Sequence, residues 1–346
     1  MAARAELDYY TAPMARRRVL YFIWSLERGG AERQLVELVR GLDPARYEGD
    51  VIVARGRGGF GDLLPRAPTS LEANDGFTWR SFARLVGHLR ARRPDVVHTY
   101  MGSMNFFGRV AARLAGVPRV VGSVRCTELE RADVVREALS RPLVDAVIVN
   151  SVGIRDELVR RARLSAERID VIENGVDLQR FKPLDDDARA AARAALGFTG
   201  YTVVVPGRVC VQKNTLGLVR ALAALGKDAA AGLRFVIAGR DGERDYADEA
   251  RRAAAATGVD ALLSWCGEVD DLAPMLAAAD GMLLASRYEG LPNVVLEAMA
   301  SGTAAFVTPA ANLDGLVRDG VEGLVGSGSD SVALAALLGR LVALSP

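Results

Sequence analysis

Short apolar runs rich in valine and isoleucine recur along this chain, and between many of them lie stretches whose apolar residues repeat with a helical period. Residues 19–24, 50–54, 95–99, 119–124, 146–150 and 168–172 read as strands, with helical patterns over 31–42, 82–92, 107–115 and 152–162. A strand that is apolar on both faces must be covered on both faces, and helices between successive strands do this in a parallel sheet. The alternation then breaks. Asn174-Gly175 is a turn signal, and Phe181-Lys182-Pro183 followed by Asp185-Asp186-Asp187 reads as a linker feeding a helix N-terminus. The pattern restarts with strands at 201–205, 233–238, 261–265, 281–285 and 304–308. Helices are expected at 214–225, 246–257, 272–279, 292–301 and 331–344. The expectation is an α/β chain of two doubly wound, Rossmann-like domains, 1–178 and 179–346, facing each other across a cleft. Ligand belongs outside the strand C-termini.

Composition narrows the function classes. A length of 346 residues accommodates two domains of roughly 100–200 residues each, and half of the residues are hydrophobic, as in globular chains. Three separated cysteines (Cys126, Cys210, Cys266) make neither a disulfide framework nor a CxxC site, which fits a reducing compartment. The two histidines, His88 and His98, are not in HExxH spacing, so zinc catalysis is not expected. No apolar run reaches the ~18–20 residues of a membrane span. Residues 1–13 read as a tail without a secretory core, so secretion is not expected and a cytoplasmic location is. The formal charge of +1 conceals an asymmetry. Residues 1–180 carry 29 arginines, no lysine and 23 acids, a net +6, whereas residues 181–346 carry 15 basic and 20 acidic residues, a net −5. Near-neutral overall charge and the absence of a binding motif argue against nucleic acid.

Three segments carry chemistry. In residues 286–302, SRYEGLPNVVLEAMASG, Pro292 suits a first helical position, and the N–H groups of Asn293 and Val294 then point out of the helix start toward a bound anion. The helix is apolar on most sides and Glu297 is its only charge. A buried carboxylate must be satisfied, by ligand hydroxyl groups or by a local arginine. Glu289 precedes the helix at a strand end, where it is either functional or a solvated loop acid. In the second segment a strand ends at Pro206-Gly207, and Arg208 and Lys213 follow five residues apart. Such a pair can clamp a diphosphate, arginine as a fork and lysine as a point charge, or belong to an ordinary basic loop. The third segment, Gly29-Gly30 after strand 19–24, allows close backbone approach but is not GxGxxG.

Taken together these segments resemble the retaining glycosyltransferases of family 4, of GT-B architecture. Glu289 and Glu297 match the family's E-x7-E signature, GRVCVQKN its diphosphate-binding element, Ile172-Glu-Asn-Gly-Val-Asp177 its interdomain stretch, and Gly29-Gly30-Ala31-Glu32 its N-terminal glycine loop. The similarity runs from about residue 18 to 330, with the elements in the family's order. The resemblance implies transfer of a sugar from a UDP- or GDP-sugar to a hydroxyl of a glycan, lipid-linked or small-molecule acceptor. It implies that no metal or other cofactor is needed, with which the absence of a DxD-like loop at a strand end agrees. It implies that Arg208 and Lys213 hold the donor diphosphate and stabilise the leaving charge. Glu297 would accept from the ribose hydroxyls, and Glu289 would contact the transferred sugar, so that Glu289, Arg208 and Lys213 are the catalytic set. Gly29, Gly30, Gly267, Gly290, Leu291, Asn293 and Val294 complete the donor contacts, with Cys266-Gly-Glu-Val269 beside the base.

The chain departs from the family on the acceptor side. Where the family often has a histidine after strand 119–124, this chain has Arg125. His98, on the preceding strand, is either an acceptor contact or a packed core histidine. Thr303 replaces a usual proline, and Gly315 a usual acid. The Tyr100–Phe107 stretch (residues 100–107) offers an apolar acceptor surface or a helix-start packing cluster. The arginines at 16–18, 155, 160, 161 and 163 suit peripheral contact with an anionic inner-membrane surface or a solvated face. Family members continue past 331–344 with a segment that returns to the first domain, and this chain stops at Pro346. A nucleotide-sugar epimerase and a non-catalytic sugar-nucleotide-binding subunit are the alternatives on the same architecture.

Overall fold

The computed structural model describes residues 16–344, so the tail expected at 1–13 lies outside the described residues. The chain divides into two compact units. The first runs to Arg125 and then over Leu129–Ile172; the second contains Cys126–Glu128 and everything from Glu173 onward.

The first unit is a seven-stranded sheet. Its strands are β1 (Arg17–Ile23), β2 (Tyr47–Val53), β3 (Thr69–Ser70), β4 (Val96–Tyr100), β5 (Arg119–Val124), β6 (Ala146–Val149) and β7 (Ile169–Val171). They lie in the order β3-β2-β1-β4-β5-β6-β7, and every pairing is parallel. The crossovers include α1 (Gly30–Gly41), α2 (Trp79–Arg92), α3 (Gly102–Leu114), α4 (Arg131–Ser140) and α5 (Val152–Glu157). The helix expected over 152–162 changes character at Leu158, where the chain continues as a π-helical stretch to Ala162.

The helix α4 has no apolar stripe strong enough to be read from sequence, because the residues it buries are Glu137 and Ser140. That carboxylate, almost fully buried, meets the buried Arg109 guanidinium of α3 at 2.7 Å. Asn105 also donates to Glu137, at 2.8 Å, and to the Ser123 carbonyl of β5, at 3.0 Å, while Thr99 of β4 donates to Asn105 at 2.8 Å. The ion pair and its hydrogen bonds thus tie α3 and α4 to the middle of the sheet. Helix α3 begins at Gly102, five residues before the expected start. The residues expected there as a surface or a packing cluster mostly pack: Tyr100 and Met104 are buried, and Phe107 lies 4.9 Å from the Phe77 ring.

The second unit is a six-stranded sheet of β8 (Tyr201–Pro206), β9 (Leu233–Ala238), β10 (Leu263–Gly267), β11 (Gly281–Leu284), β12 (Ala304–Val307) and β13 (Gly323–Val325). The order is β10-β9-β8-β11-β12-β13, again all parallel. Its helices are α6 (Asp186–Leu196), α7 (Thr215–Leu225), α8 (Arg244–Thr257), α9 (Ala273–Ala278), α10 (Asn293–Ala300) and α11 (Ser331–Val342). The strands send alternate residues to opposite faces. Val203, Val205, Phe235 and Ile237 enter one apolar core, and Val204, Val236, Met282 and Leu284 enter the other.

Helix α6, which buries no residue, is held by polar contacts. Arg189 and Arg193 both reach the Asp280 carboxylate, at 2.6 and 2.9 Å, and Asp280 also accepts from the Thr202 N–H. Strand β10 starts two residues later than expected, after a 3-10 turn at Val259–Leu262. Among the described residues no helix is long and apolar enough to cross a membrane.

Removing one partner of a buried ion pair leaves the other charge desolvated, at a cost of about 3–5 kcal/mol. Glu137→Ala is therefore expected to lower the unfolding free energy by about that amount, measured by urea denaturation. A conservative change at the exposed Arg131 of the same helix should leave stability within ~0.5 kcal/mol.

Candidate active site

In a doubly wound sheet the strand order reverses at one point, where flanking crossovers go to opposite faces and leave a crevice at the strand C-termini. The reversals here fall between β1 and β4 in the first unit and between β8 and β11 in the second. The candidate residues can be placed relative to those two points.

In the second unit β8 ends at Pro206, and Gly207 turns the chain with φ +123°, a conformation that disfavours any side chain. A Cβ at Gly207 would also lie 3.0 Å from Lys213 Cε, so the glycine makes room for the lysine stem to lie back along the turn. Arg208 is exposed, and its side chain makes no hydrogen bond or ion pair among the described residues. Asn214, fully buried with φ +59°, closes the loop. Its amide donates to the carbonyls of Ala285, at 3.2 Å, and Ser329, at 2.7 Å, and its oxygen accepts from Arg287 Nε at 3.2 Å. Gln212 donates to the Tyr288 carbonyl at 3.2 Å, and the Arg287 N–H returns to the Gln212 carbonyl at 2.9 Å. The loop after β8 is thereby stitched to the loop after β11.

That stitching brings two of the three expected catalytic residues into contact. Lys213 Nζ lies 2.5 Å from Glu289 Oε1, and Ser286 Oγ donates to the same oxygen at 2.7 Å. Glu289 is 8 % exposed. Gly290 and Leu291 follow it into the start of α10. Pro292 occupies the N-cap, one residue earlier than expected, because its ψ of 115° is extended rather than helical. Asn293 and Val294 are thus the first two helical residues, and their N–H groups lie at the positive end of the helix dipole. Asn174 braces this corner from the segment after β7, donating to the Leu291 carbonyl at 2.9 Å and to Asn293 Oδ1 at 2.6 Å.

Glu297, one turn further along α10, is 5 % exposed. Burial pushes its carboxyl up to about 7; the Arg180 guanidinium works against that rise, and the Asp271 carboxylate adds to it. Arg180 is itself paired to Asp271 at 2.7 Å. It is placed there by Asp177, whose side chain and carbonyl accept from the N–H groups of the turn that leads to the buried Phe181. Arg180, Asp271 and Ser286 were not singled out from sequence. The only signal for Arg180 was its place beside Phe181, three residues past the Asn-Gly-Val-Asp stretch. At the far edge, Gly267 ends β10 with φ +71° after a register shift at Trp265, and the adjoining Cys266 is exposed.

In the first unit Gly29 caps α1 with extended backbone, and Gly30 opens the helix. The Glu32 carboxylate folds back over the Gly29 Cα and occupies the space a side chain would need there. His98, on β4, is 5 % exposed and shares a hydrogen bond with the Ser123 hydroxyl at 2.9 Å, with the Tyr100 ring 4.5 Å away. Burial first, and then the Arg125 charge, push the His98 imidazole down to about 3, so it is neutral at physiological pH. Arg125, just past β5, is half-buried with its guanidinium 5.7 Å from the Tyr100 ring centre, a cation–π contact. These residues line the C-terminal ends of β1, β4 and β5, as Arg208, Lys213 and Glu289 line those of β8 and β11. Among the described residues no group of three or more His, Cys, Asp or Glu could hold a metal ion.

Known proteins match the chain over nearly all of this framework. Residues 28–180 match Glycosyltransferase Family 4, and residues 200–343 match Glycosyl transferases group 1. D-inositol 3-phosphate glycosyltransferase of Streptomyces scabiei is 29 % identical over 324 residues, covering 87 % of this chain and 68 % of that protein. The same-named protein of Salinispora tropica is 30 % identical, covering 75 % of this chain and 58 % of its own length. The chain thus spans about two thirds or less of the length of these relatives. A UDP-Gal:alpha-D-GlcNAc-diphosphoundecaprenol alpha-1,3-galactosyltransferase of Escherichia coli is 27 % identical, covering 71 % of this chain and 66 % of that protein. Among solved structures, Anabaena HepE in complex with UDP and glucose superposes with a TM-score of 0.81 at 22 % identity, covering 94 % of this chain and 90 % of that one. Sucrose-phosphate synthase of Thermosynechococcus elongatus superposes with a TM-score of 0.76 at 20 % identity, over 95 % and 90 %. These neighbours share the pair of parallel α/β sheets that makes the GT-B fold. Matched in sequence over both of its units, the chain belongs to glycosyltransferase family 4.

Proposed function

We propose that the protein is a retaining glycosyltransferase that moves a sugar from a UDP-sugar to an acceptor hydroxyl. The observation that carries this reading is the corner formed by the β8 loop, the β11 loop and the start of α10. It sets the Lys213 ammonium against the largely buried Glu289 carboxylate just before a helix that buries Glu297 in its second turn, and the β8 loop also carries the exposed Arg208. Cations and helix N–H groups suit a diphosphate, and buried carboxylates suit the hydroxyl groups on either side of it. UDP as the nucleotude carrier is supported by the neighbouring structure that holds UDP and glucose and by the relative named for a UDP-Gal donor.

In this reading Arg208 and Lys213 neutralise the charge that builds on the β-phosphate as the glycosidic bond breaks, and the α10 dipole assists them. Glu297 accepts from the ribose hydroxyls, Glu289 from those of the transferred sugar, and the turn at Gly267 faces the base. Gly29 and Gly30, at the start of α1, are the first unit's candidates for a backbone contact with donor. His98 and Arg125 belong to the acceptor side. With its pKa near 3, His98 is a poor base for the acceptor hydroxyl, which favours the leaving phosphate as the group that takes the proton. The acceptor is a glycan, a lipid-linked sugar or a small molecule. Action on a lipid-linked acceptor would place the protein on the inner face of a membrane, with arginines such as Arg155 and Arg163 toward anionic lipid.

Two measurements test the donor site. Lys213→Ala should lower both nucleotide-sugar affinity and turnover, each by tenfold or more, in a coupled assay of UDP release; wild-type values for both would remove the assignment. The second concerns pH. Ribose hydroxyls donating to Glu297 favour its ionised form, so binding releases a proton from a carboxyl that titrates near 7 in the free protein. Nucleotide-sugar affinity is expected to rise about tenfold from pH 6 to pH 8 and then level off. In Glu297→Gln it should be flat across that range, as read by isothermal titration calorimetry.

A further inference from the structure

The contact between Lys213 and Glu289 has a consequence for which nucleotides the site retains. Without donor, the ammonium and carboxylate are each other's partner at 2.5 Å, with side chains about 19 % and 10 % exposed. Among the described residues Glu289 Oε1 has one further donor, the Ser286 hydroxyl at 2.7 Å. A diphosphate that recruits Lys213 draws it away from Glu289 and adds negative charge beside that carboxylate. A sugar nucleotide brings hydroxyl groups that can donate to Glu289 in place of the ammonium. A bare nucleoside diphosphate brings none, and it leaves a largely buried carboxylate with only the Ser286 hydroxyl. Leaving one member of such a pair uncompensated is strongly unfavourable.

We propose that Glu289 is a specificity-determining residue that makes the site discriminate against nucleoside diphosphate lacking its sugar, and so drives product release after transfer. The inference rests on the donor-site reading above. It adds that the ion pair acts as a counterweight. The sugar-bearing donor replaces the lysine at Glu289, whereas the spent diphosphate cannot. Ser286 is a positioning residue in this scheme, because its hydroxyl is the one partner Glu289 keeps in both states.

The test is calorimetric titration of the full chain with UDP and with UDP-glucose, and with GDP and GDP-mannose should the uridine pair not bind. The quantity read is the ratio of the dissociation constant of the bare diphosphate to that of its sugar nucleotide. Glu289→Gln keeps the shape and the acceptor oxygen for Ser286 but removes the charge. The ratio is expected to fall at least tenfold, chiefly because the bare diphosphate binds more tightly. Ser286→Ala keeps both charges and strips Glu289 of its remaining partner, so the ratio is expected to rise. Opposite shifts from two neighbouring substitutions are not produced by a loosened fold. An unchanged ratio in Glu289→Gln, or weaker binding of the bare diphosphate, overturns the inference and leaves the donor-site reading standing. A wild-type chain that binds none of the four nucleotides overturns both.

Discussion

The reversal of strand order between β8 and β11 is the constraint on which the rest of the candidate site depends. Parallel strands carry their connections out at the C-terminal edge, and a reversal there opens a crevice that neither neighbouring crossover fills. Two loops leave the sheet at that point, one carrying Arg208 and Lys213 and the other Arg287 and Glu289. The buried Asn214 amide, Gln212 and Arg287 hold them together through backbone carbonyls and through one another. Loops fixed to each other in this way bring Lys213 and Glu289 into contact. The helix that follows supplies a dipole and a second, more deeply buried carboxylate. Each component is ordinary by itself; the reversal makes them converge.

The two carboxylates differ because their surroundings differ. Glu289 faces an ammonium and a hydroxyl, and Glu297 faces an apolar helix environment with Arg180 close by but already paired to Asp271. Burial therefore dominates at Glu297 and raises its carboxyl toward neutrality. A residue of this kind suits a ligand able to donate hydrogen bonds without bringing charge. The same contrast appears in the first unit, where burial beside Arg125 strips His98 of its usual role as a proton carrier near pH 7.

Much of the fold was legible in the sequence where apolar periodicity was strong. The strands at 119–124 and 233–238 have the same limits in sequence and structure, and the restart after the linker marks a second sheet. The missed elements lack that signal for identifiable reasons. Helix α4 buries Glu137 and Ser140, so its inward face is polar, and β3 and β13 are two and three residues long. The start of α6 is marked by the run of aspartates at 185–187, but the helix buries nothing, so no apolar stripe marks its extent. The residues of the candidate site were legible as motifs, because Gly207, Lys213, Pro292 and the two glutamates each serve a backbone or charge requirement at fixed spacing. Contacts across sequence separation were not. That Lys213 meets Glu289, that Asn174 braces Leu291, and that Arg180 reaches the neighbourhood of Glu297 follow from the sheet order, which no local pattern states.

The most direct measurement is a crystal structure of the chain with a sugar nucleotide bound. The diphosphate should lie within hydrogen-bonding distance of Lys213 Nζ and of the N–H groups of Asn293 and Val294, with Glu297 on the ribose hydroxyls and the Lys213–Glu289 contact opened in favour of sugar hydroxyls. A nucleotide seated away from the β8 and β11 strand ends, or one bound there with the ion pair intact and the sugar remote from Glu289, would contradict the account.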